Sequence, residues 1–140
     1  FLPIELCYDE PMPSRCGKCH ACVDACPTHA LSFVDNSAKT QFDARNCLSY
    51  QTIENRGDIP SDLSNKMGDT IYGCQTACPW NRFSQPTDIP ELQPTDELLN
   101  MKREDWLLLT EEDYRRLFKG SAVKRAKYSG LMRNIHEALD

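Results

Sequence analysis

The chain has 140 residues, 40% of them hydrophobic, eight cysteines and a formal charge of -5. That is about one domain's length with apolar content for only a modest core, so something besides apolar burial must hold much of it together. No apolar run approaches the roughly 20 residues that span a bilayer, so no membrane association is expected. Six of the eight cysteines sit two or three residues from a neighbour, too close to pair readily with one another. With no cationic, apolar leader, metal ligation in a reducing cytoplasm is the expected use of these thiols.

Residues 1–15, FLPIELCYDEPMPSR, contain three prolines and no clear periodicity. They read as an extended arm leading from an upstream domain, and Cys7 within it as a buried thiol. Next comes CGKCHACVDACP, which places Cys16, Cys19, Cys22 and Cys26 as C-x2-C-x2-C-x3-C-P. Two residues between thiolates let a short loop wrap an iron-sulfur cube and reach three of its corners, while the fourth cysteine points away. In two-cluster ferredoxins that fourth cysteine serves the other cluster. Zinc takes only four ligands, usually from two C-x2-C knuckles, so a run of four closed by proline favours iron-sulfur.

Ala30 to Asp35 and Thr40 to Asp43 flank the turn-forming Asn36-Ser37 and predict a β-hairpin. Asn46 is placed to cap a helix from Cys47 that carries Leu48, Tyr50 and Ile53 until Gly57 stops it; 57–73 reads as turn-rich loop. IYGCQTACPWN follows, with Cys74 and Cys78 before Pro79. Cys78-Pro79 matches Cys26-Pro27, so pseudo-symmetry gives cluster one Cys16, Cys19, Cys22 and Cys78. Cluster two takes Cys26, Cys47 and Cys74, and its fourth ligand is unassigned. Trp80 reads either as a shield over cluster one or as a core aromatic. Gly17 and Gly73 read as backbone approaches to sulfur or as plain turn residues.

Pro86, Pro90 and Pro94 suggest a Pro-rich linker over 84–109. Thr110-Glu-Glu-Asp113 resembles a capping box that opens a helix carrying Tyr114, Leu117 and Phe118 to Gly120. Ser121 caps a second helix from Ala122 to about Ala138, whose apolar positions drift and whose apolar face looks uncovered. Residues 1–114 carry 9 basic and 19 acidic side chains, whereas 115–140 carry 7 and 2. This basic run is either a solvated helix face or a landing surface for an anionic partner such as RNA.

The four-cysteine run, DARNCLSYQTIE, IYG before a cysteine pair, CPWN and FKGSAVKRAKYSGLMRN together resemble the C-terminal half of the epoxyqueuosine reductase family. These are cobalamin and iron-sulfur enzymes related to reductive dehalogenases through the ferredoxin module. The resemblance implies an α+β fold: a two-cluster bacterial ferredoxin-like domain over 16–83, then a basic helical segment over 110–140 that begins a helical-repeat region. It implies two 4Fe-4S clusters that pass electrons from an external donor, such as ferredoxin or flavodoxin, to cobalamin for reduction of epoxyqueuosine to queuosine in tRNA. It also implies cobalamin contacts at Ser49, Tyr50 and Thr52, and RNA contacts at Lys119, Lys124, Arg125, Lys127 and Arg133. The protein is expected to be a cytoplasmic monomer, the electron-transfer part of a longer enzyme and not catalytically competent alone. His20, His29 and His136 are read as incidental, although His29 stands where the family often has glycine.

One departure is specific to this chain. The family pattern before CPWN is C-x2-C-x3-C-P, whereas this sequence has only C-x3-C-P: either three residues are missing from the sequence as given, or the loop is shortened and cluster two is one cysteine short. Asp69, water or Cys7 could fill the corner, or a three-iron cluster could form. Two other classes stay open: a free-standing ferredoxin-like carrier serving a separate cobalamin protein, and a zinc-stabilised RNA-binding module.

Overall fold

The structure, a computed structural model, describes residues 3–13, 15–34, 40–74 and 77–139. After an exposed arm comes α1 (Ala21–Asp24), then an antiparallel pair, β1 (Leu31–Phe33) and β2 (Thr40–Phe42). Their register sets Leu31 opposite Phe42 and Phe33 opposite Thr40. The hairpin is as expected from the alternating runs; its turn at Asn36-Ser37 lies outside the described residues. A 3-10 turn (Ala44–Asn46) leads into α2 (Leu48–Ile53). Asp43 caps that turn by accepting from the Arg45 amide at 3.0 Å. The residue at the N-terminal boundary of α2 is Cys47, not Asn46, because Asn46 is already the last residue of the 3-10 turn.

The stretch 57–73 is not all loop. It contains α3 (Ser61–Ser64), which packs Leu63 beside Leu48, Ile59 and Met67 in a small core under α2. The segment 84–109, expected as linker, also holds α4 (Asp96–Asn100) and α5 (Arg103–Leu107). Their side chains Leu98, Trp106 and Leu107, with Met101 between the two helices, pack onto the second core. Thr95 starts α4 by accepting from the Leu98 amide at 3.3 Å, the cap that the proline spacing concealed.

α6 (Glu111–Leu117) forms as its sequence predicts. Thr110 accepts from the Asp113 amide at 3.1 Å, and three acids occupy the first turn with two arginines in the last. That distribution complements the helix dipole. Ser121 caps at 3.2 Å from the Val123 amide, but it opens a 3-10 stretch (Ala122–Ala126), after which α7 (Lys127–Leu139) runs as α-helix. At the junction Lys127 has φ 65 and ψ 163, a region that L residues rarely adopt. Arg56 holds the junction by donating to the carbonyls of Arg125, at 2.8 Å, and Ala126, at 3.3 Å.

The apolar face of α7 is not uncovered. Leu131 and Ile135, one turn apart and fully buried, pack with Leu109, Tyr114 and Phe118, while Tyr128, Met132 and Leu139 flank them. The helix lies against both α5 and α2. Between Leu131 and Ile135 sits Asn134, also fully buried. Its side-chain amide donates to the Thr52 carbonyl at 2.7 Å and the Ile71 carbonyl at 3.0 Å, and its Oδ1 accepts from Arg133. Arg133 in turn donates to the carbonyls of Gln51, at 2.7 Å, and Asn55, at 3.1 Å, and also to that of Gly57. One turn of α7 thus collects the carbonyl groups at the end of α2 and in the approach to Cys74.

Replacing Asn134 by leucine keeps the volume but strands two buried carbonyls. Asn134→Leu is expected to lower the unfolding free energy by about 2–4 kcal/mol in a denaturant titration, although it adds apolar surface. Lys127→Gly should raise stability by about 1 kcal/mol in the same titration, by removing Cβ strain at the junction.

Candidate metal centre

Cys16 and Cys19 lie in the loop before α1. The Cys19 amide donates to the Cys16 carbonyl at 2.9 Å, and Gly17 between them takes φ 56, so this tight turn uses a left-handed residue. Cys22 is carried by α1 and Cys26 follows it. Buried Thr28 and Ala30 then lead into β1. Cys47 stands at the start of α2, and Gly73, with φ 73, turns the chain into Cys74. The Gly73 amide donates to Thr52 Oγ1 at 3.0 Å, which ties the Cys74 loop to α2.

These elements enclose a cavity of about 380 Å³. Cys22, Cys26, Cys47, Cys74 and Cys78 all line it, with Thr28, Ser49 and Asn81 as further polar wall residues and Leu31, Phe42 and Leu48 among the apolar ones. Five of the seven expected ligands therefore share one space, while Cys16 and Cys19 are exposed and lie off its wall. Cys7 is exposed on the arm, not buried as expected, and is also off the wall. Asp69 is likewise elsewhere, 3.9 Å from the Arg103 guanidinium.

The donor set fits an iron-sulfur group. Five thiols stand on the walls of one cavity, and cysteine thiolates are the ligands that hold iron-sulfur clusters. The surroundings of Cys26 favour its thiolate form. Burial alone would push its thiol up, but the amides of Leu31, Thr28 and Ala30 and the Thr28 hydroxyl, 3.7 Å from its sulfur, together hold it below the ordinary thiol value. Hydrogen bonds of this kind to cluster sulfur also tune reduction potential.

The other expected contacts separate. Ser49 is on the cavity wall and Tyr50 is 39% exposed, but Thr52 is not available to cobalamin. It is fully buried; its hydroxyl donates to the Leu48 carbonyl at 2.7 Å and accepts from Gly73. Trp80 is neither a core aromatic nor a wall residue: it is 53% exposed and packs on Phe83, itself capped by the Arg82 guanidinium 4.6 Å from its ring. His29 has φ 51, which accounts for glycine as an alternative there. His20 pairs with Asp24 one helical turn on.

Within the basic run, Lys119 and Lys127 are exposed and Lys124 is half-buried. Arg125 is paired with Glu54 at 2.5 Å. Arg133 is turned inward to the carbonyls that it ties together, so its guanidinium is not presented to an RNA phosphate. Burial and the neighbouring Arg56 charge draw the Arg133 pKa below its ordinary value. Sequence reading missed Arg56, Asn134 and Tyr72, whose hydroxyl donates to the Ala122 carbonyl at 2.8 Å. Only Asn134 left a signal, as an amide in the middle of an apolar helix stripe.

Residues 15–81 match the family model described as a 4Fe-4S double cluster binding domain. The epoxyqueuosine reductase of Cellulophaga algicola is 42% identical over 140 residues, and the match spans 96% of this chain and 44% of that protein. That of Leadbetterella byssophila is 41% identical over 96% of this chain and 43% of its own length. The solved structure of epoxyqueuosine reductase from Streptococcus thermophilus superposes with a TM-score of 0.69 at 33% identity, covering 97% of this chain and 35% of that one. The chain thus spans less than half the length of these relatives. Over nearly its whole length the chain is thus similar to part of the epoxyqueuosine reductases, and across residues 15–81 it matches the 4Fe-4S double cluster binding domain.

Proposed function

We propose that this chain is the electron-transfer portion of an epoxyqueuosine reductase. In this reading an external donor of the ferredoxin or flavodoxin kind loads one cluster, and electrons reach the other and then cobalamin, for reduction of epoxyqueuosine to queuosine in tRNA. The observation that carries it is the single cavity walled by Cys22, Cys26, Cys47, Cys74 and Cys78. It sets members of both ligand groups side by side, the arrangement that a relay between two clusters requires. Iron-sulfur clusters supply one-electron transfer at potentials set by charge, solvent access and hydrogen bonds to sulfur.

The chain's own residues have distinct tasks in this reading. Cys16, Cys19, Cys22 and Cys78 hold cluster one; Cys26, Cys47 and Cys74 hold cluster two. Thr28 and the amides around it stabilise the Cys26 thiolate, while Leu31, Phe42 and Leu48 supply apolar wall to the cavity. Ser49 and Tyr50 are the residues we place toward cobalamin. Lys119, Lys124 and Lys127 are those we place toward tRNA phosphates, with Arg125 reduced to a lesser role by its pairing with Glu54. The protein acts as a cytoplasmic monomer, and cobalamin chemistry belongs to the remainder of the enzyme.

Anaerobic reconstitution with iron and sulfide analysis and absorption spectroscopy tests this directly. About seven to eight irons per chain are expected, and Cys16→Ser should remove about four of them. A colourless, zinc-loaded protein would overturn the reading. For the RNA surface, joint Lys119→Ala, Lys124→Ala and Lys127→Ala substitution should weaken tRNA binding about tenfold and flatten the dependence of log K on log salt by roughly 2. Binding unchanged in affinity and salt slope would place RNA recognition elsewhere.

A further inference from the structure

Two cubes ligated only by cysteine use eight thiolates. The segment that matches the double cluster domain, residues 15–81, holds seven cysteines. The eighth in the chain, Cys7, is on the exposed arm and off the cavity wall. Among the described residues no carboxylate or imidazole lines that cavity either. Asp69, the one acid considered for the corner, lies beside Arg103 instead. The remaining polar wall groups, Thr28, Ser49 and Asn81, are neutral oxygen or amide donors, and the Thr28 hydroxyl is already directed to Cys26 sulfur at 3.7 Å.

We propose that the second cluster is a three-thiolate site, held by Cys26, Cys47 and Cys74, whose fourth iron carries a ligand taken from solvent. The inference rests on the iron-sulfur reading above. A missing thiolate has a specific chemical consequence: that iron is the one held only through sulfide and a water-derived ligand, so it is the first to leave. The change is balanced as a 4Fe-4S core of charge 2+ giving a 3Fe-4S core of charge 1+, one ferrous ion and one electron. A one-electron oxidant such as ferricyanide takes the electron. Reduction with added ferrous ion reverses it.

The structure also shows where the missing thiolate can be restored. Ala77 lines the same cavity three residues after Cys74, so Ala77→Cys creates C-x2-C on its wall. The experiment is a ferricyanide titration of the anaerobically reconstituted protein, followed by electron paramagnetic resonance and iron analysis. Wild type should develop the signal of an oxidised three-iron cluster at roughly one spin per chain, with release of about one iron. Ala77→Cys should lower that signal about tenfold and retain the iron, whereas Cys7→Ser and Ser49→Ala should match wild type.

Two stable cubes with no three-iron signal in wild type would overturn the inference while leaving the electron-transfer reading intact. A protein that takes up no iron and sulfide would overturn that reading itself. A larger three-iron signal in Cys7→Ser or Ser49→Ala would identify that side chain as the fourth ligand and also overturn the inference. If Ala77→Cys fails to assemble clusters, the wild-type titration with the Cys7→Ser and Ser49→Ala comparisons still decides it.

Discussion

The arrangement depends on one buried polar contact, the amide of Asn134 set between the Thr52 and Ile71 carbonyls. An amide inside an apolar stripe costs free energy unless its groups are paired, and here Arg133 completes the pairing from the neighbouring position. The contact therefore fixes one rotation of α7, the rotation that also seats Leu131 and Ile135 against Leu109, Tyr114 and Phe118. Because Thr52 lies in the last turn of α2, which Cys47 precedes, and Ile71 stands three residues before Cys74, the same contact ties together the segments that carry these two cysteines. Thr52 extends the link through its hydroxyl to the Gly73 amide.

This changes the meaning of the basic C-terminal stretch. Its charge suggested a surface for an anionic partner, and Lys119 and Lys127 are exposed as that requires. Yet its four arginines are engaged within the chain: Arg133 with loop carbonyls, Arg125 with Glu54, Arg116 with Glu97 and Asp113, and Arg115 with Glu111. Arg56 reciprocates by holding the carbonyls at the start of α7. A guanidinium suits this task because its planar fork serves several carbonyls at once, which an ammonium cannot do with the same geometry. Lys119 and Lys127 remain toward solvent, while Lys124 is half-buried.

Local signals were legible where the chain's own neighbours decide the conformation. The hairpin followed from alternation around a turn, α6 from its Thr110 cap and graded charge, and the left-handed turns at Gly17 and Gly73 from glycine beside cysteine. The helices α4 and α5 were hidden because prolines at 86, 90 and 94 dominate the composition, and both are short enough to need the core they pack on. The covered face of α7 was hidden for the same reason, since its partners Leu109 and Tyr114 come from elements whose docking no local pattern records.

The sequence by itself determined where the thiols lie along the chain: eight cysteines, seven of them within residues 15–81, in groups set by spacing and proline. Spacing suffices for these because a few residues between ligands limit how far apart they can lie. The tertiary structure decided which of those thiols share a space, that Cys7 and Asp69 stand apart from it, and that Thr52 and Arg133 serve the scaffold instead of a ligand. Those outcomes depend on contacts between residues separated by up to about eighty positions, where burial and the pairing of backbone carbonyls, not local propensity, choose the arrangement.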